Sequence, residues 1–175
     1  AILPFMFEVL AFVYENYFAD EDCPEPAHLQ RKLSAVGFET DEINDAITWL
    51  EGLQTAAHQA RRKPAADPGP ASMGPMPEPW LRQPSATSIR IYPSYEQNHL
   101  GPQCLGFIRF LETAGVLPAH LRELVLDRAM AAPGGPVALD DLKVIILMVF
   151  WSFGMEPDAL VLDELCDHDG TRVAH

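Results

Sequence analysis

The chain has 175 residues, the length of one domain or of two small ones sharing a core. Its 48% hydrophobic and 21% charged residues exclude disorder throughout. A net charge of −13 excludes a coat that binds nucleic acid by neutralising phosphates, and an anionic membrane surface would repel such a chain.

Three cysteines, Cys23, Cys104 and Cys166, are too few and too dispersed for a disulfide framework or a CxxC zinc site, which fits a reducing cytosol. Ala1 to Tyr14 is apolar, but it lacks a basic leader and is interrupted by Glu8, so it does not read as an export signal. Val144 to Met155 has the length of a buried core helix and falls short of the roughly 20 residues that span a bilayer. These features predict a cytoplasmic protein that does not enter the membrane.

In chain order, Met6, Leu10, Val13 and Tyr17 repeat at helical spacing, with Phe7, Tyr14 and Phe18 widening the stripe. Asp20-Glu21-Asp22 and Pro24 end this first helix. A second helix is expected from Pro26 to Val36, with Leu29, Leu33 and Val36 inward and Gly37 at its end. Thr40 is the expected cap of a third, with Ile43, Ile47, Leu50 and Leu53 buried and Trp49 at one edge.

Residues 61–88 hold seven of the sixteen prolines, together with Arg61-Arg62-Lys63, and read as an extended linker. Charge divides at the same place: residues 1–60 carry −9, residues 61–88 carry +2 and residues 89–175 carry −6.

Beyond the linker, Ile89-Arg90-Ile91-Tyr92 is a short extended piece that should lie along a helix. Ser94 with Gln97 suits a capping box for a short helical turn. Pro102 suits the start of the next helix, on which Cys104, Phe107, Ile108 and Leu111 share a face up to Gly115. Pro118 opens another, with Leu121, Leu124, Val125 and Ala129 inward. After Pro133-Gly134-Gly135-Pro136, Asp140 is expected to cap a helix from Asp141 to Phe153 whose Val144–Trp151 stretch is apolar all round. That pattern belongs to a central helix surrounded by others. Leu162 and Leu165 suggest a last helix, followed by a frayed tail.

The expected fold is therefore all-α, with about seven helices in two halves that share an interface. The divisions are a three-helix unit at 1–60, the linker at 61–88, a helical unit at 89–167 and a tail at 168–175.

Several of these segments together resemble one bacterial family. They are Arg90-Ile91-Tyr92 with Glu96, the run CLGFIRFLE from Cys104 to Glu112, Arg122-Glu123-Leu124-Val125 with Arg128, and LDDLKVIILMVF from Leu139 to Phe150. Met6-Phe7-Glu8-Val9-Leu10 and GFETDEINDAITWLEGL, from Gly37 to Leu53, complete the pattern. The whole is similar to the bacterial Smg family over roughly residues 6–60 and 85–155. The chain departs from the family pattern in Ala1–Phe5, in a longer linker, and in Val144, where the family tends to have Trp. The resemblance implies an all-helical cytoplasmic bacterial protein and no established reaction.

The second and third helices, joined through Gly37-Phe38-Glu39, look like a helix-turn-helix. From Thr40 to Leu53, however, the would-be recognition helix carries Asp41, Glu42, Asp45 and Glu51 and no Lys or Arg. Phosphates would repel it, so a structural hairpin is the better reading. Arg61-Arg62-Lys63 reads more simply as a basic helix end than as a nucleic-acid contact. Cys166-Asp167-His168-Asp169 matches no structural zinc spacing, and GxSxG, HExxH and phosphate-loop motifs are missing from the sequence.

The arginines of the second half have two readings. They pair with Glu112, Glu123, Asp127 or Asp140 to fix helix packing, or Arg90 and Arg128 receive an acidic group of a ligand in a cleft beside Tyr92. The expectation is a non-enzymatic binding or adaptor protein without metal or cofactor, acting on another bacterial protein. Acidic helices suit a basic partner, such as a nucleic-acid-binding protein. Arg90, Tyr92, Arg128 and Trp151 are the candidate partner-binding residues. Two alternatives are direct nucleic-acid association through the helix-turn-helix-like unit and the basic run, and a small enzyme whose site is assembled from distant parts of the chain.

Overall fold

Among the described residues of the computed structural model, 6–17, 25–62 and 89–156, there are six helices and no strand. They are α1 (Met6–Tyr17), α2 (Pro26–Val36), α3 (Thr40–Arg62), α4 (Ser94–Thr113), α5 (Ala119–Met130) and α6 (Leu139–Ser152). The proline-rich segment from Lys63 onward, the expected last helix, the tail and the Cys166–Asp169 cluster lie outside the described residues.

One hydrophobic core takes residues from all six helices. α6 is its axis: every residue from Leu142 to Phe150 is buried, as the all-round apolar pattern requires. α1, α3, α4 and α5 pack around it, and α2 leans on α3. The first three helices and the last three therefore share a single interior, because α1 and α3 both pack against α6.

Several side chains depart from their expected burial. Val36 is 55% exposed at the end of α2, where the helix has outrun the core. Trp49 is buried rather than marginal, because its indole N–H reaches the Arg128 carbonyl of α5 at 3.0 Å. In the stretch before α4 the side chains alternate between solvent and the helices behind. Ile89 and Ile91 are 77% and 86% exposed, while Arg90 and Tyr92 turn inward.

Helix starts also differ, because backbone carbonyls rather than the expected side chains begin the turns. The Ile43 N–H donates to the Glu39 carbonyl at 3.0 Å, and the Glu42 carboxylate takes the Glu39 N–H at 3.1 Å. The first turn of α3 thus begins one residue before Thr40, in half of a capping box. The N-cap residues of α4 and α6 are Pro93 and Ala138, neither of which supplies a side-chain cap. Gln97 instead donates its amide to the Tyr92 carbonyl at 2.7 Å. Arg61 and Arg62 form the last turn of α3, as the basic-helix-end reading expects and the linker bound at residue 61 does not.

α4 is two helical pieces meeting at Gly101, whose φ of 71° and ψ of 170° break the ladder just before Pro102. A side chain rarely adopts that φ, so glycine is needed there. The break leaves the His99 carbonyl free to accept the Val137 N–H at 2.8 Å, while the Cys104 thiol meets the Val137 carbonyl. The kink and the α5–α6 loop thereby hold each other.

Candidate functional site

The structure places the four candidate residues in three settings. The first is an ionic clasp. Arg90 reaches Glu96 in the first turn of α4 with two N–H groups, at 2.6 and 3.0 Å. It reaches Glu123 of α5 with two more N–H···O contacts, at 2.9 and 3.1 Å. Arg122 shares Glu123, at 2.9 and 2.8 Å, and also bonds Glu112 at the end of α4.

Hydrogen bonds to Glu96 hold the Arg90 guanidinium well above its ordinary pKa, against the opposing effect of burial. Burial alone would push the Glu123 carboxyl up, but hydrogen bonds from Arg90 and Arg122 outweigh it and lower the pKa. The guanidinium also lies 4.6 Å from the Tyr92 ring centre. Burial, followed by the nearby Glu112 charge, raises the Tyr92 phenol. The clasp pins the 89–93 stretch onto α4 and α5, and Arg90 has its donors directed at protein carboxylates. It is built to hold helices together.

The second setting is α3 against α5. The Arg128 guanidinium crosses α3 at Gly52, where an added Cβ would lie 2.3 Å from Nη1. Its Nε and Nη2 also reach Asp127, at 3.0 and 2.8 Å. Beside it, Asp45, Thr48, Trp49, Ala131 and Pro133 line a shallow cleft of about 260 Å³. The outer side of α3 continues from this cleft with exposed Asp41, Asp45 and Glu51. These three acids have no ion-pair partner among the described residues. Arg128 and Arg90 pair with different carboxylates, Asp127 in one case and Glu96 and Glu123 in the other.

The third setting is a groove between the second half of α3 and the end of α6, about 410 Å³ in volume. Leu50, Leu53 and Met148 form its apolar part, and half-buried Trp151 stands in its wall. The Tyr14 ring meets Trp151 edge-on, with centroids 6.4 Å apart. Arg61 lies 5.1 Å from the Phe153 ring centre and donates to the Ser152 carbonyl.

The Cys104 thiol is buried, and burial raises its pKa to about 11, so it is a core residue rather than a nucleophile. No group of three His, Cys, Asp or Glu side chains suited to a metal occurs among the described residues. No described helix is long and apolar enough to cross a membrane.

The family described as "Protein of unknown function (DUF494)" matches residues 6–175. The chain belongs to this family. It is 51% identical over 170 residues to a Protein Smg homolog of Methylibium petroleiphilum, with 97% of this chain and all of that protein covered. Protein Smg homologs of Leptothrix cholodnii and Bordetella pertussis are 50% and 42% identical over the same length, with the same coverage. No solved structure matches the chain. Membership adds no reaction, since the family is itself of unknown function.

Sequence pattern alone gives Gly52 no role and leaves Arg61 between a helix end and a linker. A glycine between Leu50 and Leu53 was a usable signal, because glycine inside a helix costs about 1 kcal/mol and a close neighbour is a common reason to keep it.

Proposed function

We propose that this protein is a non-enzymatic adaptor that binds a basic surface of another bacterial protein through the acidic outer side of α3. The observation that carries this reading is that Asp41, Asp45 and Glu51 are exposed, and without an ion-pair partner among the described residues, on a helix with no Lys or Arg before Arg61. Unpaired like charges on one face repel each other, and a cationic partner relieves that repulsion. The same face opposes direct DNA reading, although α2 and α3 are arranged as consecutive helices around Gly37. The core rigidly supports this surface, because the opposite side of α3 is anchored by Ile43, Ala46, Leu50 and Leu53.

The test is affinity capture from a nuclease-treated bacterial extract, comparing the native chain with Asp41→Lys/Asp45→Lys. A basic protein retained by the native chain and lost from the variant supports the reading, and retention by both refutes it.

A further inference from the structure

The stretch before α4 is an extended edge clamped to the helices behind it. Residues 89–92 are non-helical, their side chains point alternately outward and inward, and Pro93 follows in extended conformation at φ −66° and ψ 159°. Inward-turned Arg90 fixes the edge through its four contacts with Glu96 and Glu123. Outward-turned Ile89 and Ile91 are 77% and 86% exposed, and Tyr95 follows at 62%. Outward lysines commonly guard such an edge against pairing. Here both outward positions are isoleucine.

The backbone of the edge is open as well. In an extended chain the N–H and C=O groups of alternate residues point to opposite sides. On one side the Tyr92 carbonyl accepts the Gln97 amide at 2.7 Å. On the other, the N–H groups of Ile89 and Ile91 and the Ile89 carbonyl have no hydrogen-bond partner among the described residues. The Ile91 carbonyl takes one long bond from Arg90 Nη1, at 3.5 Å, and keeps a second lone pair. A strand added along this side would satisfy all four groups.

We propose that Ile89-Arg90-Ile91 is a strand-addition site that takes an extended segment of another protein with alternating apolar and basic residues. The apolar residues cover Ile89 and Ile91. The basic ones follow from charge: Arg90 and Arg122 with Glu96, Glu112 and Glu123, the groups beneath the edge, sum to −1, and the whole chain to −13. That charge disfavours a second copy of the chain, and three exposed side chains fall well short of the roughly 800 Å² per partner that a stable dimer buries. The edge lies on α4 and α5, so it does not depend on the partner proposed for α3.

Hydrogen exchange of the full-length chain with an acetylated heptapeptide of alternating valine and lysine tests the proposal. Binding should slow exchange at the Ile89 and Ile91 amides about tenfold or more. The same peptide methylated at alternate backbone nitrogens keeps its charge and side chains but cannot complete the ladder, and should protect neither amide. In a polarisation titration, Ile89→Ser/Ile91→Ser should weaken the peptide about tenfold, whereas Val36→Ser, at an exposed position on α2, should not. All these positions are exposed, so thermal unfolding of the variants should match that of the native chain. Saturating peptide should still protect the two amides in Asp41→Lys/Asp45→Lys, and protection lost there would move the peptide to α3 and overturn the proposal. Absent protection, equal protection by the methylated peptide, or equal affinity of the two serine variants would also overturn it. So would protection of these amides in dimers formed without peptide, by assigning the edge to a second copy.

Discussion

Gly52→Ala tests the contact that positions Arg128, and its size can be worked from the geometry. The new methyl carbon would stand 2.3 Å from Arg128 Nη1 and 3.4 Å from Cζ, so the guanidinium must swing away. Being the tip of a flexible side chain, it can move, but it leaves the surface of α3 and disturbs its bonds to Asp127. That ion pair is largely exposed on the Asp127 side, which limits its worth to about 1 kcal/mol or less. Against this, alanine in the middle of a helix is about 0.5–1 kcal/mol better than glycine. The two effects nearly cancel, so Gly52→Ala alone should change stability by less than about 0.5 kcal/mol. In an Arg128→Ala background the clash is gone, and the same substitution should stabilise by about 1 kcal/mol, or roughly 2–4 °C in Tm for a chain of this size. Urea unfolding of the four proteins gives the coupling. A gain from Gly52→Ala that is equal in both backgrounds to within about 0.3 kcal/mol would show that Arg128 does not lie over Gly52.

Three further outcomes follow from the core, the clasp and the charge. Ile146 is fully buried on α6, so Ile146→Ala should cost about 2–5 kcal/mol, while half-buried Trp151→Ala should cost less than half as much in the same thermal unfolding assay. The Glu123 carboxyl has a pKa below its ordinary 4.5, so its stabilising contribution is present above that value and is lost as pH falls through the lowered pKa. Glu123→Gln should therefore flatten acid unfolding below about pH 4.5, and an unchanged acid limb would contradict the clasp. Duplex DNA should bind more weakly than about 10 μM at physiological salt in a polarisation titration, and tighter binding lost on Asp41→Lys would reverse the reading of α3.

What was legible in the sequence was whatever depends on local periodicity. The stripe Met6, Leu10, Val13 and Tyr17 and the unbroken run Val144 to Phe150 announce a half-buried helix and a central one, and both are buried accordingly. The turn at Pro133–Pro136 and the break at Gly101-Pro102 were also readable, since glycine and proline restrict the backbone wherever they occur.

Partners distant along the chain were not readable. Arg90 and Tyr92 turn inward because Glu123 waits 33 residues away. Trp49 is buried because an α5 carbonyl 79 residues on accepts its N–H. The helix caps were misassigned at Thr40, Ser94 and Asp140 because side chains able to cap are not obliged to do so when a backbone carbonyl already starts the turn. Among the candidate site residues, Trp151 was identifiable as a half-exposed aromatic at a helix end. The packing roles of Arg90 and Arg128 became clear only with their neighbours in place.

The central claim is that the exposed acids of α3 meet a basic protein. The most direct measurement titrates the protein captured from nuclease-treated extract against the native chain and against Asp41→Lys/Asp45→Lys, at two salt concentrations. The account predicts that binding weakens about tenfold or more in the variant, equivalent to at least about 1.4 kcal/mol, and that native binding falls as salt rises. Equal affinity of the two chains, or native binding indifferent to salt, would contradict it.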